Sequence, residues 1–271
     1  MATSPPHRPA STGQEELERM SLLDHLEDLR KRLLYSIIAL AVTFIPCWIY
    51  VKKIFGFLAA PIQKIQPGLK LAYLGLTDPF ILYFKVAALA AVFIASPYIL
   101  FQVWAFVAPG LYKREKLFAL PFVLCASIFF IAGGAFAYYV TFPFAAKFLL
   151  TMGEDFQAVI TLDRYTGFLL TLILGLGLMF ELPIFILLLS WIGVVSTRFL
   201  LRYFRHAVVV IFILAAIITP TPDIVNLCLF AVPTIGLYLL GVGAAFMVER
   251  LKKRRAAENA SAAEEAEGME A

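Results

Sequence analysis

The stretch YTGFLLTLILGLGLMFELPIFILLLSWI, residues 165–192, decides the fold class, because it carries only one charged side chain, Glu181. A helix needs about 20 predominantly apolar residues to cross a bilayer, so this stretch is long enough to span one. The whole chain is 61% hydrophobic and only 15% charged, against about 25% charged residues in an average soluble domain. Five further apolar runs occupy residues 33–51, 79–108, 117–140, 207–220 and 224–248. The sequence therefore predicts an all-α membrane protein with six transmembrane helices.

The last two runs are the least regular, and prolines punctuate almost all of them. The fifth run is short, and the sixth is interrupted by Gly236, Gly241 and Gly243. These two runs either cross a locally thinned bilayer or form one re-entrant hairpin. Prolines lie within or at the ends of the runs at Pro46, Pro97, Pro121, Pro183 and Pro233. Because proline removes a backbone donor and kinks a helix, we expect a bundle bent into a concave shape.

Basic residues are concentrated in alternate connections between the runs. The clusters are Arg30-Lys31-Arg32, Lys113-Arg114 with Lys116, Arg198 with Arg202 and Arg205, and Arg250 with the basic run 252–255. By the positive-inside rule, this pattern predicts that both termini lie in the cytoplasm. The connection 52–78 is an exception, since it contains four lysines and should face outward.

The two ends of the chain differ in composition from the apolar middle. Residues 1–20 are polar and contain prolines, and we expect a disordered cytoplasmic tail there. Residues 251–271 are rich in charge and alanine, which is typical of a solvated cytoplasmic tail. The membrane domain is therefore predicted to occupy residues 21–250.

Glu181 is the most informative single residue, because it interrupts the middle of the fourth run. A charged side chain at the centre of a bilayer costs on the order of 3 kcal/mol or more, and such residues usually face a bundle interior or a watery cavity. One interpretation is a protonated glutamate bonded to a backbone carbonyl that Pro183 leaves free. The other is a polar site for a substrate, a proton or a partner helix.

Two acidic residues lie near the predicted cytoplasmic edge, Asp28 and Glu115. From spacing alone, Asp28 could simply pair with Arg32 one helical turn later, an interaction worth a few tenths of a kcal/mol. No Ser/His/Asp set, catalytic carboxylate pair, phosphate loop or metal-ligand spacing accompanies them. We therefore predict no enzyme activity, no cofactor and no metal, and the charges do not require nucleic acid as a partner.

Five segments together resemble one family, TatC, the multi-span core of the twin-arginine protein translocase. They occur in the family's order and cover about residues 22–250. The segments are His25-Leu-Glu-Asp-Leu-Arg-Lys-Arg-Leu, Gln102-Val-Trp-Ala-Phe-Val-Ala-Pro-Gly-Leu-Tyr-Lys-Arg-Glu, Phe136-Ala-Tyr-Tyr-Val-Thr-Phe-Pro, Phe180-Glu-Leu-Pro and Thr219-Pro-Thr-Pro-Asp.

This resemblance implies a receptor that binds signal peptides with two adjacent arginines and exports folded proteins using the proton-motive force. It implies a prokaryotic cytoplasmic (inner) membrane, single-span partners of the TatA and TatB type, and more than one copy in the working complex. The signal-peptide positions it implies are Asp28, where glutamate is usual, with Arg30, Arg32, Phe106 and Glu115. Glu181 would bind a partner helix in the membrane. Family positions on the outer face are Pro61, Tyr138 and Asp223, whereas Leu227 replaces an expected glutamine.

Two other classes of function remain open from the residues alone. A proton-coupled secondary transporter of a small solute could use Glu181 as its proton carrier, but it should also have polar residues on other spans near the midplane. A scaffold without a ligand of its own would make both rim carboxylates dispensable. The arginine fork pairs with carboxylates in a bidentate way that lysine cannot reproduce, which favours the receptor.

Overall fold

The computed structural model describes residues 22–68, 70–107, 119–219 and 223–270, and its regular structure there is helical. A single parallel bridge between Ala72 and Thr161 joins two connections. A π-helical segment, Ala137–Thr141, links the fourth and fifth helices. The helices are α1 Leu22–Ile49, α2 Val51–Ile65, α3 Asp78–Val107, α4 Ala119–Phe136, α5 Phe142–Met152, α6 Leu162–Phe180, α7 Leu182–Ile192, α8 Thr197–Arg202, α9 Phe204–Ile218 and α10 Ile224–Glu270.

Six apolar helical segments match the six predicted spans. Five of them are long enough to cross a membrane: Leu26–Ile49, Asp78–Phe106, Leu120–Met152, Leu162–Ile192 and Ile224–Arg254. The sixth, α9, has 15 residues, and at 1.5 Å per residue it rises only about 22 Å, against about 30 Å of bilayer hydrocarbon. The predicted all-α fold is confirmed, as is the shortness of the fifth span.

The third span differs from its predicted extent. The predicted apolar run ends at residue 140, but the helix continues through the π-helical segment into α5 and ends at Met152. Pro143 lies in the first turn of α5 and has no N–H to donate. The wider π turn, in which the Phe142 N–H bonds the Ala137 carbonyl, accommodates it. The lysine-bearing connection 52–78 contains most of helix α2.

Helix pairs bury the apolar faces, and small residues lie where helices approach closely. The pairs with the most extensive packing are α1 with α3, α4 with α6, and α7 with α10. A Cβ added at Gly133 of α4 would lie 2.6 Å from the carbonyl oxygen of Leu176 in α6, and one at Gly241 of α10 would lie 2.8 Å from Ile186 in α7. Glycines therefore set the distance at both crossings, as is common between membrane helices.

The bundle has two different ends. One end, which we call the cap side, carries α2 and the connections 70–77 and 153–161, where the Ala72 N–H donates to the carbonyl of Ile160 (3.0 Å). The opposite end, the rim side, carries the start of α1, the end of α3 and helix α8. There the Glu249 carboxylate of α10 accepts from the Thr197 N–H at the start of α8 (2.7 Å).

Candidate functional site

On the rim side, Asp28 already holds a guanidinium. Its Oδ2 accepts a hydrogen bond from Nε of Arg32 at 2.7 Å, and the two side chains are only 24% and 23% exposed. The neighbouring pair, Glu27 with Lys31, has the same spacing and a similar distance of 2.8 Å but is 63% and 60% exposed. The pairing expected from the helical spacing is therefore present, and it is the more sheltered of two otherwise matched ion pairs.

The end of α3 lies at about the same level as Asp28. Helices α1 and α3 run antiparallel, since Phe44 contacts Phe84 and Trp48 contacts Phe80. The Thr43 hydroxyl donates to the carbonyl of Ala91 (3.3 Å). Asp28 lies 15 residues before Thr43, and Phe106 lies 15 residues after Ala91.

The structure thus brings Asp28 and Arg32 together and places the partly buried Phe106 at the same end of the bundle. Arg30 is exposed and joins neither ion pair of α1. Glu115 lies outside the described residues.

Glu181 sits at a break between α6 and α7, and the break leaves its side chain buried. The side chain is 3% exposed, and Oε1 has no hydrogen-bond partner among the described residues. Its backbone continues the chain of helical bonds, with its N–H donating to Leu178 and its carbonyl accepting from Phe185. Among the described residues, Oε1 therefore makes no bond of the kind that the first interpretation of Glu181 requires. A buried carboxyl oxygen without a hydrogen-bond partner is unfavourable.

On the cap side, Pro61 and Tyr138, two of the positions named from the family resemblance, both determine the hydrogen bonding of the Phe57 carbonyl. Pro61 has no N–H to bond the carbonyl of Phe57 four residues earlier in α2. The Tyr138 hydroxyl donates to that carbonyl at 2.6 Å, and its ring stacks on the ring of Phe57 with centroids 4.6 Å apart. The tyrosine of the third span therefore satisfies an acceptor that the proline of α2 leaves free.

Two further cap-side contacts were missed by sequence reasoning. The buried Tyr165 hydroxyl of α6 donates to the carbonyl of Leu58 at 2.7 Å, next to the Tyr138 bond. Lys85 of α3 pairs with Asp163 of α6 at 2.9 Å. The one available signal was composition, since a tyrosine and an aspartate at the start of an otherwise apolar span need polar partners.

Asp223, the third outer position, caps the start of α10. Its carboxylate accepts from the backbone N–H of Asn226 at 2.7 Å and from the side-chain amide of the same residue at 2.9 Å. Such a capping bond satisfies one of the free donors of a helix N-terminus. Leu227, where a glutamine was expected, packs against the hydrophobic core instead.

Comparison with known proteins matches this arrangement to one family. The model of the family described as Sec-independent protein translocase protein (TatC) matches residues 24–233. The chain belongs to the TatC family. It is 45% identical over 257 residues to the Sec-independent protein translocase protein TatC of Koribacter versatilis, covering 93% of this chain and 95% of the relative. It is 42% identical over 233 residues to the TatC of Helicobacter pylori strain J99, covering 86% of this chain and 91% of the relative.

Solved TatC structures share the fold. A crystal structure of a twin arginine translocase receptor, TatC, superposes with a TM-score of 0.75 at 34% identity, covering 83% of this chain and 99% of that one. A second, determined in the detergent DDM, gives a TM-score of 0.76 at the same identity, covering 82% and 99%. The TatC family, the six-span fold and the assignment to Sec-independent protein translocation, all predicted from the sequence, are confirmed. The chain is an integral membrane protein whose named relatives are bacterial.

Proposed function

We propose that this chain is the receptor and core subunit of a twin-arginine translocase, which binds the two arginines of a signal peptide at the rim side. The observation that carries the proposal is the Asp28 carboxylate, which lies in a sheltered position and already accepts a hydrogen bond from a guanidinium. The TatC receptor structures with which the chain superposes support the same role.

The chemistry of the rim favours arginine over lysine. The Asp28 carboxylate can accept two parallel N–H bonds from a planar guanidinium, whereas an ammonium binds as a point charge. Glu115 would supply a second carboxylate for the adjacent arginine, and Phe106 an apolar surface beside it. In this proposal Arg32 holds Asp28 in place until the signal peptide arrives. Because Asp28 has one methylene fewer than glutamate, the peptide arginine must approach α1 more closely.

The rim side is proposed to face the cytoplasm, with both termini there. The basic residues of the start of α1, of α8 and of the end of α10 all lie on this side, as the positive-inside rule requires. Residues 1–20 and 251–271 would then be cytoplasmic tails flanking a membrane domain at 21–250, in the inner membrane of the cell.

Glu181 is proposed as the intramembrane contact for a partner. Its unpaired Oε1 needs a hydrogen-bond donor, and a polar group on a single-span subunit of the TatA or TatB type would supply one within the bilayer. Assembly with such subunits, in more than one copy, would allow folded cargo to cross at the expense of the proton-motive force. No enzymatic step, metal, cofactor or nucleic acid enters this role.

The test is crosslinking of a twin-arginine signal peptide to the protein in membrane vesicles, with Asp28→Asn compared against Glu27→Gln. The first change removes the sheltered carboxylate and the second removes its exposed neighbour. Because hydrogen bonds to charged groups are worth about 1.5–3 kcal/mol, we expect Asp28→Asn to bind the peptide about 10- to 100-fold more weakly.

Glu27→Gln should bind like the wild type, and a twin-lysine peptide should bind poorly to all three proteins. Equal binding by Asp28→Asn and the wild type would overturn the recognition site. For Glu181, unchanged partner association in Glu181→Ala would reduce this residue to a structural one.

A further inference from the structure

The cap side holds cationic side chains that the proposed receptor role does not use. Lys64 of α2 and Lys147 of α5 line one cavity of about 740 Å³, together with Gln66 and Glu154. Both lysines are exposed, and neither forms an ion pair with any residue that the structure describes. Lys64 is one of the four lysines that break the positive-inside pattern. Two unpaired ammonium groups at one cavity point to an anionic ligand.

A second, largely apolar cavity adjoins the cationic one. Its volume is about 510 Å³, and it shares Leu149 and Leu150 of α5 with its neighbour. Its charged lining residues are Arg164 and Asp163, which is paired with Lys85. Ile62, Phe142, Ala146 and Phe168 line its interior.

The apolar space continues into the membrane-spanning part of the bundle. A third cavity, about 410 Å³, lies between α3 and α6 and shares Gly167 and Thr171 with the second. Leu40, Val92, Leu170 and Leu174 are among its lining residues. We refer to these three adjoining cavities together as the groove. Its lining is charged at the cap side and apolar within the bundle, and each part lies within the size range of small-molecule sites.

We propose that this groove binds one anionic phospholipid from the cap-side leaflet, with its phosphate between Lys64 and Lys147 and an acyl chain beside Gly167. A soluble anion would leave the apolar cavities empty, whereas a lipid fills both ends. Lys64, Lys147 and Arg164 outnumber Glu154, and Lys85 and Asp163 neutralise each other. The groove therefore prefers a headgroup with net negative charge over a zwitterionic one.

The site also accounts for Lys64 of α2 on the proposed outer side. Basic residues near an anionic bilayer surface are attracted to its headgroups, so a bound lipid compensates for the position of this lysine. Lipid bound between α2, α5 and α6 would brace the cap against the spans. This role is separate from signal-peptide recognition, which lies at the opposite end of the bundle.

The charged end is tested by native mass spectrometry of the detergent-purified protein, titrated with phosphatidylglycerol or with phosphatidylcholine of the same acyl chains. The double variant Lys64→Gln/Lys147→Gln is compared with Lys52→Gln/Lys53→Gln, which removes two exposed lysines from the other end of α2. Each lysine near the headgroup is worth about a factor of five, so we expect about 25-fold weaker phosphatidylglycerol binding in the first variant only. Equal binding in both double variants would overturn the headgroup site.

The apolar end is tested with Gly167→Leu against Gly236→Leu. A Cβ at either glycine meets nothing within 4 Å, so both proteins should fold, but only the side chain at 167 projects into the groove. Gly167→Leu should lose binding of both lipids, and Gly236→Leu should retain it. Unchanged lipid binding in Gly167→Leu would refute the lipid site. If that variant instead lost a co-purifying single-span subunit, the groove would be a helix site.

Twin-arginine peptide binding, measured on the same four proteins, should be unchanged throughout. A failure of the lipid site is thereby distinguished from a failure of the receptor proposal.

Discussion

Replacing Tyr138 by phenylalanine should destabilise the cap, because it removes the hydroxyl bond to the Phe57 carbonyl that Pro61 leaves without its helical donor. The substitution keeps the ring, so the stacking on Phe57 at 4.6 Å is retained and the hydroxyl alone is tested. The lost bond is 2.6 Å long, and a part-buried acceptor left unpaired costs about 1–3 kcal/mol. Tyr138→Phe is therefore expected to lower the free energy of unfolding by about that amount.

The contribution of the Tyr138 hydroxyl bond is isolated by restoring a backbone N–H donor within α2. Pro61→Ala returns an N–H that can bond the Phe57 carbonyl, so Tyr138→Phe should cost little in that background. The assay is reversible unfolding in detergent, followed by loss of helical circular dichroism, for the wild type, both single variants and the double variant. We expect a coupling energy of about 1 kcal/mol or more, within the range seen for contacting residues.

Tyr139 provides the control for this cycle. It is exposed and contacts Tyr138 only through its ring edge, so Tyr139→Phe should leave the unfolding free energy nearly unchanged. Additive effects of the Pro61 and Tyr138 substitutions would refute the idea that the tyrosine replaces the bond that the proline removes. A Tyr138→Phe variant as stable as the wild type would refute it as well.

Three further substitutions test how the helices are joined. Glu249→Ala removes the carboxylate that caps α8 at Thr197 and should cost about 1–2 kcal/mol of unfolding free energy in the same denaturation assay. Gly241→Leu should lower the free energy of unfolding by about 1–3 kcal/mol through overpacking, because a Cβ at residue 241 meets Ile186 at 2.8 Å. Gly236→Leu should be tolerated, because a Cβ at residue 236 meets nothing within 4 Å. Equal melting temperatures of the two variants would contradict this. Lys85→Gln breaks a largely exposed ion pair and should change the free energy of unfolding by less than about 1 kcal/mol. Added salt, which screens the same pair in the wild type, should change the wild-type free energy of unfolding by a similar amount.

The spans could be predicted from the sequence because a bilayer imposes a length and a composition on each helix. The stretch 165–192 is recognisable for that reason alone, and the helical spacing of Asp28 and Arg32 predicts their ion pair. The sequence also marks the break at Glu181, as a charged residue followed closely by Pro183. It does not show that the Glu181 side chain lacks a partner among the described residues, because this depends on which groups the neighbouring helices present.

The third span shows what composition does not determine. Its extension to Met152 depends on a π turn that accommodates Pro143. The sequence shows where the proline is, but it does not predict that a π turn lets the helix continue past it. The bonds from Tyr138 and Tyr165 to adjacent carbonyls of α2 join residues more than 80 positions apart. Such contacts depend on how the cap packs on the bundle, and the local hydrophobic periodicity of the sequence does not predict that packing.

Complementation tests whether this chain recognises twin-arginine signals during export. A bacterial strain that lacks its own TatC would receive this chain as the wild type, as Asp28→Asn or as Glu27→Gln, and export of a folded cargo would be scored with a twin-arginine or a twin-lysine signal. We expect export of the twin-arginine cargo by the wild type and by Glu27→Gln, a severe loss with Asp28→Asn, and little export of the twin-lysine cargo in any strain. Equal export of both cargoes, or full export by Asp28→Asn, would contradict it.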